Sequence, residues 1–340
     1  MYSRRFVLGS LAMSALAAAA KPVRGAAPLR IRVGWVVVPN DMVPILPEAA
    51  QVTRHLGKSY VLDLQHFAGT TPIITALASG TIDTSALAFS SLPLAIENAG
   101  LDDLRVISDA FQDGIEGYRT NTFRVLKDSP IRRVEDLKGK VLATNTQGSA
   151  VDIAMRAMLR KHGLNDRTDV SIIEARFPTM RSLLQEKKVV LIPAVMPFAA
   201  DPELEKISRP LFTQKDAIGQ TQMIVHAARE GFLKQHRATM IDMLEDMLRM
   251  LHFYTDPTHH EQAVQIVAKV TKQPPARFEG WLFTRRDYYR NPNGLPDIEA
   301  LQANVAVQKK LGLLKTAIDV RSYADLSLIE AAAKRLVSKT

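Results

Sequence analysis

The 340-residue chain contains no cysteine. That excludes a disulfide framework, a thiolate metal site, a cysteine nucleophile and a lipid-anchored lipoprotein. Beyond the first 20 residues no apolar run reaches 18 residues, and a bilayer span needs roughly 20. No G-x-S-x-G, P-loop, G-x-G-x-x-G or H-E-x-x-H motif occurs, which removes the positive case for an enzyme without excluding one. Adjacent His259-His260-Glu261 lacks the i, i+4 spacing of a zinc helix. There is no Pro/Ser-rich linker and no internal repeat. Positive charge is in slight excess, with 44 Lys and Arg against 35 Asp and Glu. Four of the basic residues (Arg4, Arg5, Lys21, Arg24) precede Pro28, leaving a surplus of five on the rest of the chain. So thin a bias is too slight to announce a nucleic-acid binder and would steer small anions.

What is present begins with an export pattern. Arg4-Arg5 precedes a 15-residue apolar stretch from Phe6 to Ala20, which Lys21 ends. A charged start, a short apolar middle and small residues before Ala26 predict a signal peptide over residues 1–25. Ser3-Arg4-Arg5-Phe6-Val7-Leu8 resembles the twin-arginine type, with an ordinary secretory signal as the alternative. Periplasmic localisation follows from either route.

The following chain alternates strand and helix. Leu29–Val38, Tyr60–Phe67 and Thr81–Leu87 read as strands, with a helical stretch up to Gly57 and a helix capped by Thr71 and closed by Gly80. The pattern restarts with strands at Asn121–Leu126, Val141–Thr144, Ser171–Glu174, Val189–Ile192 and Thr221–His226. Helices are expected from Ser149 to Gly163, with Ser149 and Asp152 as a capping-box variant, and at Met180–Gln185. Beyond about residue 230 the pattern is nearly all helical. Met240, Met243, Met247 and Met250 fall on one helix face and read as core. This order predicts an α/β protein of two lobes, each a mixed, mainly parallel sheet flanked by helices, with a helical C-terminal tail. Lobe 1 comprises residues 26–120 and 221–340, and lobe 2 residues 121–220. A cleft between such lobes is a favoured ligand site.

The segment Asp128-Ser129-Pro130-Ile131, then Glu135-Asp136-Leu137-Lys138-Gly139-Lys140-Val141-Leu142-Ala143 and Gly148-Ser149, resembles the middle of solute-binding proteins of ABC importers. It is closest to the nitrate, taurine and aliphatic-sulfonate binding group. Ala76-Leu77-Ala78-Ser79-Gly80-Thr81-Ile82-Asp83 is similar to that group's first-lobe helix-to-strand segment. Glu186-Lys187-Lys188-Val189-Val190 departs from it, replacing a glycine-acid turn. The resemblance implies a type II periplasmic-binding-protein fold, no catalysis, no cofactor, and a membrane permease as partner to a monomeric protein. Thiamine-pyrimidine synthases share the scaffold, but their cysteine-rich iron motif cannot form here.

Candidate ligand residues follow from position. Thr70, Thr71 and Ser149 stand at helix starts after strands, one start per lobe, where free N–H groups attract an anion or the residue simply caps its helix. Trp35, near the end of the first strand, either caps an organic ligand or packs in the core. Ser90 and Ser91 follow another strand end, and Asn121 and Thr122 sit at the inter-lobe crossover. Arg176 could fork onto a carboxylate or sulfonate, and Met196 and Phe198 could line a wall. Asn40 and Gln147, in loops beside these elements, complete the set. The expected function is capture of a small organic anion, a sulfonate or carboxylate, for delivery to an ABC importer. The alternatives are a ligand-sensing partner of a membrane receptor and an exported enzyme on the same scaffold.

Overall fold

The computed structural model describes residues 27–337, so the expected signal segment lies outside the described residues. Strands β1 (Leu29–Trp35), β2 (Tyr60–His66) and β3 (Thr84–Ala88) alternate with helices α1 (Thr70–Ala78) and α2 (Ser91–Ala99), leading to β4 (Leu104–Asp113). Next come β5 (Thr122–Leu126), β6 (Val141–Thr144), α3 (Ala150–Lys161), β7 (Ser171–Glu174) and α4 (Phe177–Gln185). They are followed by β8 (Ile192–Ala194), α5 (Pro202–Ile207), β9 (Ser208–Thr213) and α6 (Gln214–Ile218). The chain returns through β10 (Thr221–Arg229) to α7 (Glu230–Gln235), α8 (Arg237–Thr255), α9 (His260–Thr271), α10 (Ile298–Lys310) and α11 (Ser327–Val337).

The strands form a five-stranded sheet in the order β2-β1-β3-β10-β4, a three-stranded sheet β8-β5-β9 and a two-stranded sheet β6-β7. Parallel pairing holds for β1–β2, β1–β3 and β6–β7. β10 enters antiparallel between β3 and β4 because it runs back from the second set of strands, and β5 pairs antiparallel with β8 and β9. The five-stranded sheet is therefore mixed, whereas the three-stranded sheet is antiparallel and the two-stranded sheet parallel, short of the mainly parallel pairing expected in each lobe. In β1, Ile31 and Val33 enter the core while Arg32 faces outward. The Arg32 backbone N–H and Nε both donate to Asp83 Oδ2, at 2.8 and 3.0 Å, tying β1 to the turn before β3.

Several boundaries differ from the sequence reading. Only a 3-10 turn, Val43–Glu48, forms where a helix to Gly57 was expected. Pro44 and Pro47 remove backbone donors there, and the N–H groups of Arg54, His55 and Leu56 are claimed by the Asp246 carboxylate of α8. That carboxylate also accepts from the Tyr60 hydroxyl at 2.9 Å. α1 begins two residues earlier than expected, with Gly69 rather than Thr71 at the N-cap. β4 and β9 had no distinct reading in the sequence, and the third strand starts at Thr84 because Asp83 is held by Arg32. The four methionines of α8 are buried as expected. His259 stacks on Phe253, and the His260 ring bonds to the Glu279 carbonyl oxygen.

Candidate ligand-binding site

A cavity of about 80 Å³ lies where the five-stranded sheet meets α3 and α4. Val36, Val37, Asn40 and Asp41 reach it from the chain beyond β1, and Gly69 and Thr70 from the start of α1. Asn145, Ser149, Ala150 and Val151 face it from the start of α3, and Phe177 from α4. Phe111, Met223 and Tyr288 contribute further apolar wall. No lysine, arginine or histidine lines it among the described residues.

Two helix N-termini thus open on one small space, each with backbone N–H groups that its own helix cannot satisfy. No side chain caps α1. At α3 the Ser149 hydroxyl accepts from the Asp152 N–H and donates to Asn145 Oδ1. The Asp152 carboxylate accepts from Gly148 N–H at 2.9 Å, one position ahead of the reciprocal bond a capping box would make. The cap therefore uses the N–H groups of Gly148 and Asp152, and Ala150 and Val151 between them line the cavity. A ring of ion pairs fixes that helix. Arg156 bridges Asp152 and Asp166 at 2.8 and 2.9 Å, and Arg160 Nη1 reaches the Leu311 carbonyl.

A buried polar chain forms the floor. Asn40 Nδ2 donates to the Met196 carbonyl at 2.7 Å, and Met196 N–H donates to the Tyr288 hydroxyl at 3.0 Å. That hydroxyl donates to Asn121 Oδ1 at 2.5 Å, and the Tyr288 ring stacks on Phe111 at 4.6 Å. Burial pushes the Tyr288 hydroxyl above its ordinary value, so it stays protonated and able to donate. Asn121 also donates to Gln214 Oε1, and its N–H reaches the buried Asp113 carboxylate at 2.8 Å. Burial pushes the Asp113 carboxyl up to about 6 against the lowering effect of its bonds from Thr120 and Asn121. Both chain crossings between the sheets meet here. Gln214 N–H donates to the Asn121 carbonyl, Lys215 N–H to Thr120 Oγ1, and Asp113 pairs with Thr221.

The rim is closed by direct contact. A Cβ added at Gly69 would lie 2.7 Å from Thr146 Oγ1 and 3.2 Å from Asn145 Nδ2. Only a residue without a side chain fits there. Thr71 Oγ1 makes a long 3.4 Å bond to the Gln147 carbonyl across the same rim.

Of the sequence-predicted residues, Asn40, Thr70 and Ser149 line the cavity. Trp35 does not. It is the last residue of β1, in register with His66, and packs on that ring at 4.5 Å, outside the cavity lining. Ser91 bonds to Thr70 Oγ1 at 2.7 Å, and Ser90 is buried with its carbonyl held by Gln308. Both support helix starts from behind the wall. Asn121 is enclosed in the floor, and Thr122 sits in β5 between β8 and β9. Gln147 is exposed on the rim, its N–H bonded to Glu174. Arg176 is exposed at the N-cap of α4, next to the lining residue Phe177 but not itself part of the lining. Met196 contributes through its backbone, and Phe198 stacks behind Phe177 at 5.8 Å. Sequence reasoning missed Asp41, Phe177 and Tyr288. Tyr288 stands in the run Arg286-Asp287-Tyr288-Tyr289-Arg290, and nothing local distinguishes it as a floor residue.

Residues 25–268 match the NMT1-like family. Among solved structures, the chain is similar to the periplasmic aliphatic sulphonate binding protein SsuA from Escherichia coli, at 18% identity and a TM-score of 0.64, over 87% of this chain and 97% of that one. It is similar to the periplasmic nitrate-binding protein NrtA from Synechocystis PCC 6803, at 13% identity and a TM-score of 0.71, over 91% and 89%. It is also similar to the desulfurization enzyme DszB, at 13% identity and a TM-score of 0.63, over 91% and 99%. At these identities the likeness is one of fold, the α/β fold of periplasmic binding proteins. No curated protein sequence matches the chain.

Proposed function

The chain belongs to the NMT1-like family, and on that footing we propose that it is an exported solute-binding protein. It encloses a small organic anion, a sulfonate or carboxylate, and delivers it to the membrane permease of an ABC importer. The lobes are residues 26–120 with 221–340, and residues 121–220, hinged where β4 passes to β5 and β9 to β10. The observation that carries this reading is the meeting of the α1 and α3 N-termini on one cavity lined from both lobes. Each helix end supplies unpaired N–H groups and a partial positive charge, on the order of 0.3–1 kcal/mol for an anion and up to ~2 where partly buried. The ligand touches both ends only when the lobes are closed, so it favours the closed state. The apolar wall suits an organic body and leaves a bare inorganic ion little to touch. The likeness to an enzyme does not change this reading, because among the described residues the cavity lining offers no cysteine, histidine or lysine as a nucleophile.

A thermal-shift screen of the chain from Ala26 onward tests it, using alkyl and aryl sulfonates, aliphatic and aromatic carboxylates and nitrate. A ligand present at about 1,000 times its dissociation constant adds roughly 4 kcal/mol to folded stability, a shift of several degrees at this size. A clear shift with sulfonates or carboxylates is expected. A flat panel from ligand-free protein would overturn the proposal.

A further inference from the structure

Residues 121–220 hold 17 Lys and Arg against 12 Asp and Glu. The surplus of five on the chain beyond its export pattern is therefore all in this stretch, and the flanking chain, taken together, is neutral. Four of these lysines meet at one end of a sheet. Strands β6 and β7 run parallel with Val141 opposite Ser171, and the Val190 N–H donates to the Val141 carbonyl alongside. Lys138 and Lys140 lead into β6, and Lys187 and Lys188 lead into the segment at Val190. The other ends of β6 and β7 run on to the lining residues Asn145 and Phe177. The lysines thus stand at the end of the sheet turned away from the cavity. All four are exposed. Asp169 holds Lys138 at 3.4 Å and Glu186 holds Lys188 at 2.7 Å, while Lys140 and Lys187 have no acidic partner among the described residues. Val141, beside Lys140, is 36% exposed, and Ile173, two residues beyond Ser171, is 40% exposed. Among the described residues the only other large apolar side chain so exposed is Val337.

We propose that this end of the molecule docks on an anionic lipid surface. Unpaired lysines beside bare apolar side chains make an amphipathic patch. The charge draws it to acidic headgroups, and Val141 and Ile173 enter the boundary beneath them. A lysine ammonium is a point charge on a flexible stem and needs no fixed fork of partner oxygens. That suits headgroups free to move sideways better than the set acids of a folded protein. Docking through this end leaves the cavity end clear of the lipid. The inference goes beyond the solute-binding reading and needs no ligand to be tested.

The test is co-sedimentation of the chain from Ala26 onward with vesicles of equal parts phosphatidylglycerol and phosphatidylcholine, and with vesicles of phosphatidylcholine alone. At about 0.01 M salt, where charges act over about 30 Å, the mixed vesicles should bind at least tenfold more tightly than the neutral ones. Raising the salt to about 1 M should release the protein. Lys140→Gln with Lys187→Gly removes both unpaired charges and should weaken binding to mixed vesicles at least tenfold. Lys187 follows α4 at φ 59°, left-handed backbone that favours glycine, so this change does not endanger the fold. Lys272→Gly, at φ 54° after α9, is the matched control and should bind as the wild type does. Equal binding to both vesicles, or a double variant that binds as the wild type does, overturns the inference. Retention on immobilised polyglutamate without vesicle binding overturns the lipid assignment in favour of an acidic protein.

Discussion

Gly69→Ala separates folding from closure by giving them opposite signs. Gly69 is extended, with φ −172° and ψ 173°, a conformation alanine adopts freely. Removing the glycine's excess freedom in the unfolded chain should stabilise the protein by about 0.4–1 kcal/mol. In the closed state, however, the new methyl would meet Thr146 Oγ1 at 2.7 Å, Asn145 Nδ2 at 3.2 Å and Thr146 Cβ at 3.3 Å. One rotamer change cannot relieve all three contacts, so the loop before α3 must retreat. Overpacking of this kind costs about 1–3 kcal/mol. Because the contact exists only when the rim is shut, the cost falls on ligand affinity, roughly 5- to 150-fold. Titration calorimetry with the strongest sulfonate or carboxylate binder reads the affinity, and urea denaturation of ligand-free protein reads the stability. Gly231→Ala in α7, where an added Cβ meets nothing within 4 Å, serves as the control and should leave affinity unchanged. Unchanged affinity in Gly69→Ala would refute the role of this contact in the bound state. A loss of ligand-free stability would refute the separation of the two effects.

Two further outcomes follow from the floor. Tyr288→Phe keeps the stack on Phe111 but strands the Met196 N–H and Asn121 Oδ1. A loss of about 1–3 kcal/mol per stranded group is expected, with weaker ligand binding by calorimetry; wild-type stability and affinity would contradict the floor's role. Burial pushes Asp109 and Asp113 each up to about 6, so the folded chain holds two protons that the unfolded chain has released. Stability from these groups is therefore present below about pH 4 and lost as pH rises to 6, by up to about 3 kcal/mol each. Glu245, lowered to about 2 by its Arg249, Arg335 and His55 partners despite burial, does not oppose this above pH 5. The urea midpoint should be higher at pH 5 than at pH 7.5, and Asp113→Asn should reduce the difference. A pH dependence identical in that variant would refute the assignment.

Much of the architecture was legible because short-range chemistry decides it. The β1 alternation, the Ser149 cap of α3 and the methionine face of α8 are local patterns, and all three hold. The two helix starts at the cavity were legible for the same reason. What escaped depends on partners far along the chain. Loop 54–56 forms around Asp246, some 190 residues away, and overrides any helical preference. Tyr288 reaches Asn121 across 167 positions. Trp35, the last residue of β1, packs on His66 outside the cavity lining, because proximity to a strand end does not tell which way a side chain turns.

The Asp113 carboxylate holds Thr120 and Asn121, which in turn hold Lys215 and Gln214. The outgoing and returning strands of the proposed hinge are thereby laced together at one place. Two tethers laced side by side bend readily about a single line but resist twist and slide. Closure then has one path and one end point, so the outer faces of the lobes come to the same relative position whenever a ligand fits. On the proposed function, a membrane partner reading that outer geometry would receive a two-valued signal, occupied or empty, and need not touch the ligand to know it is there.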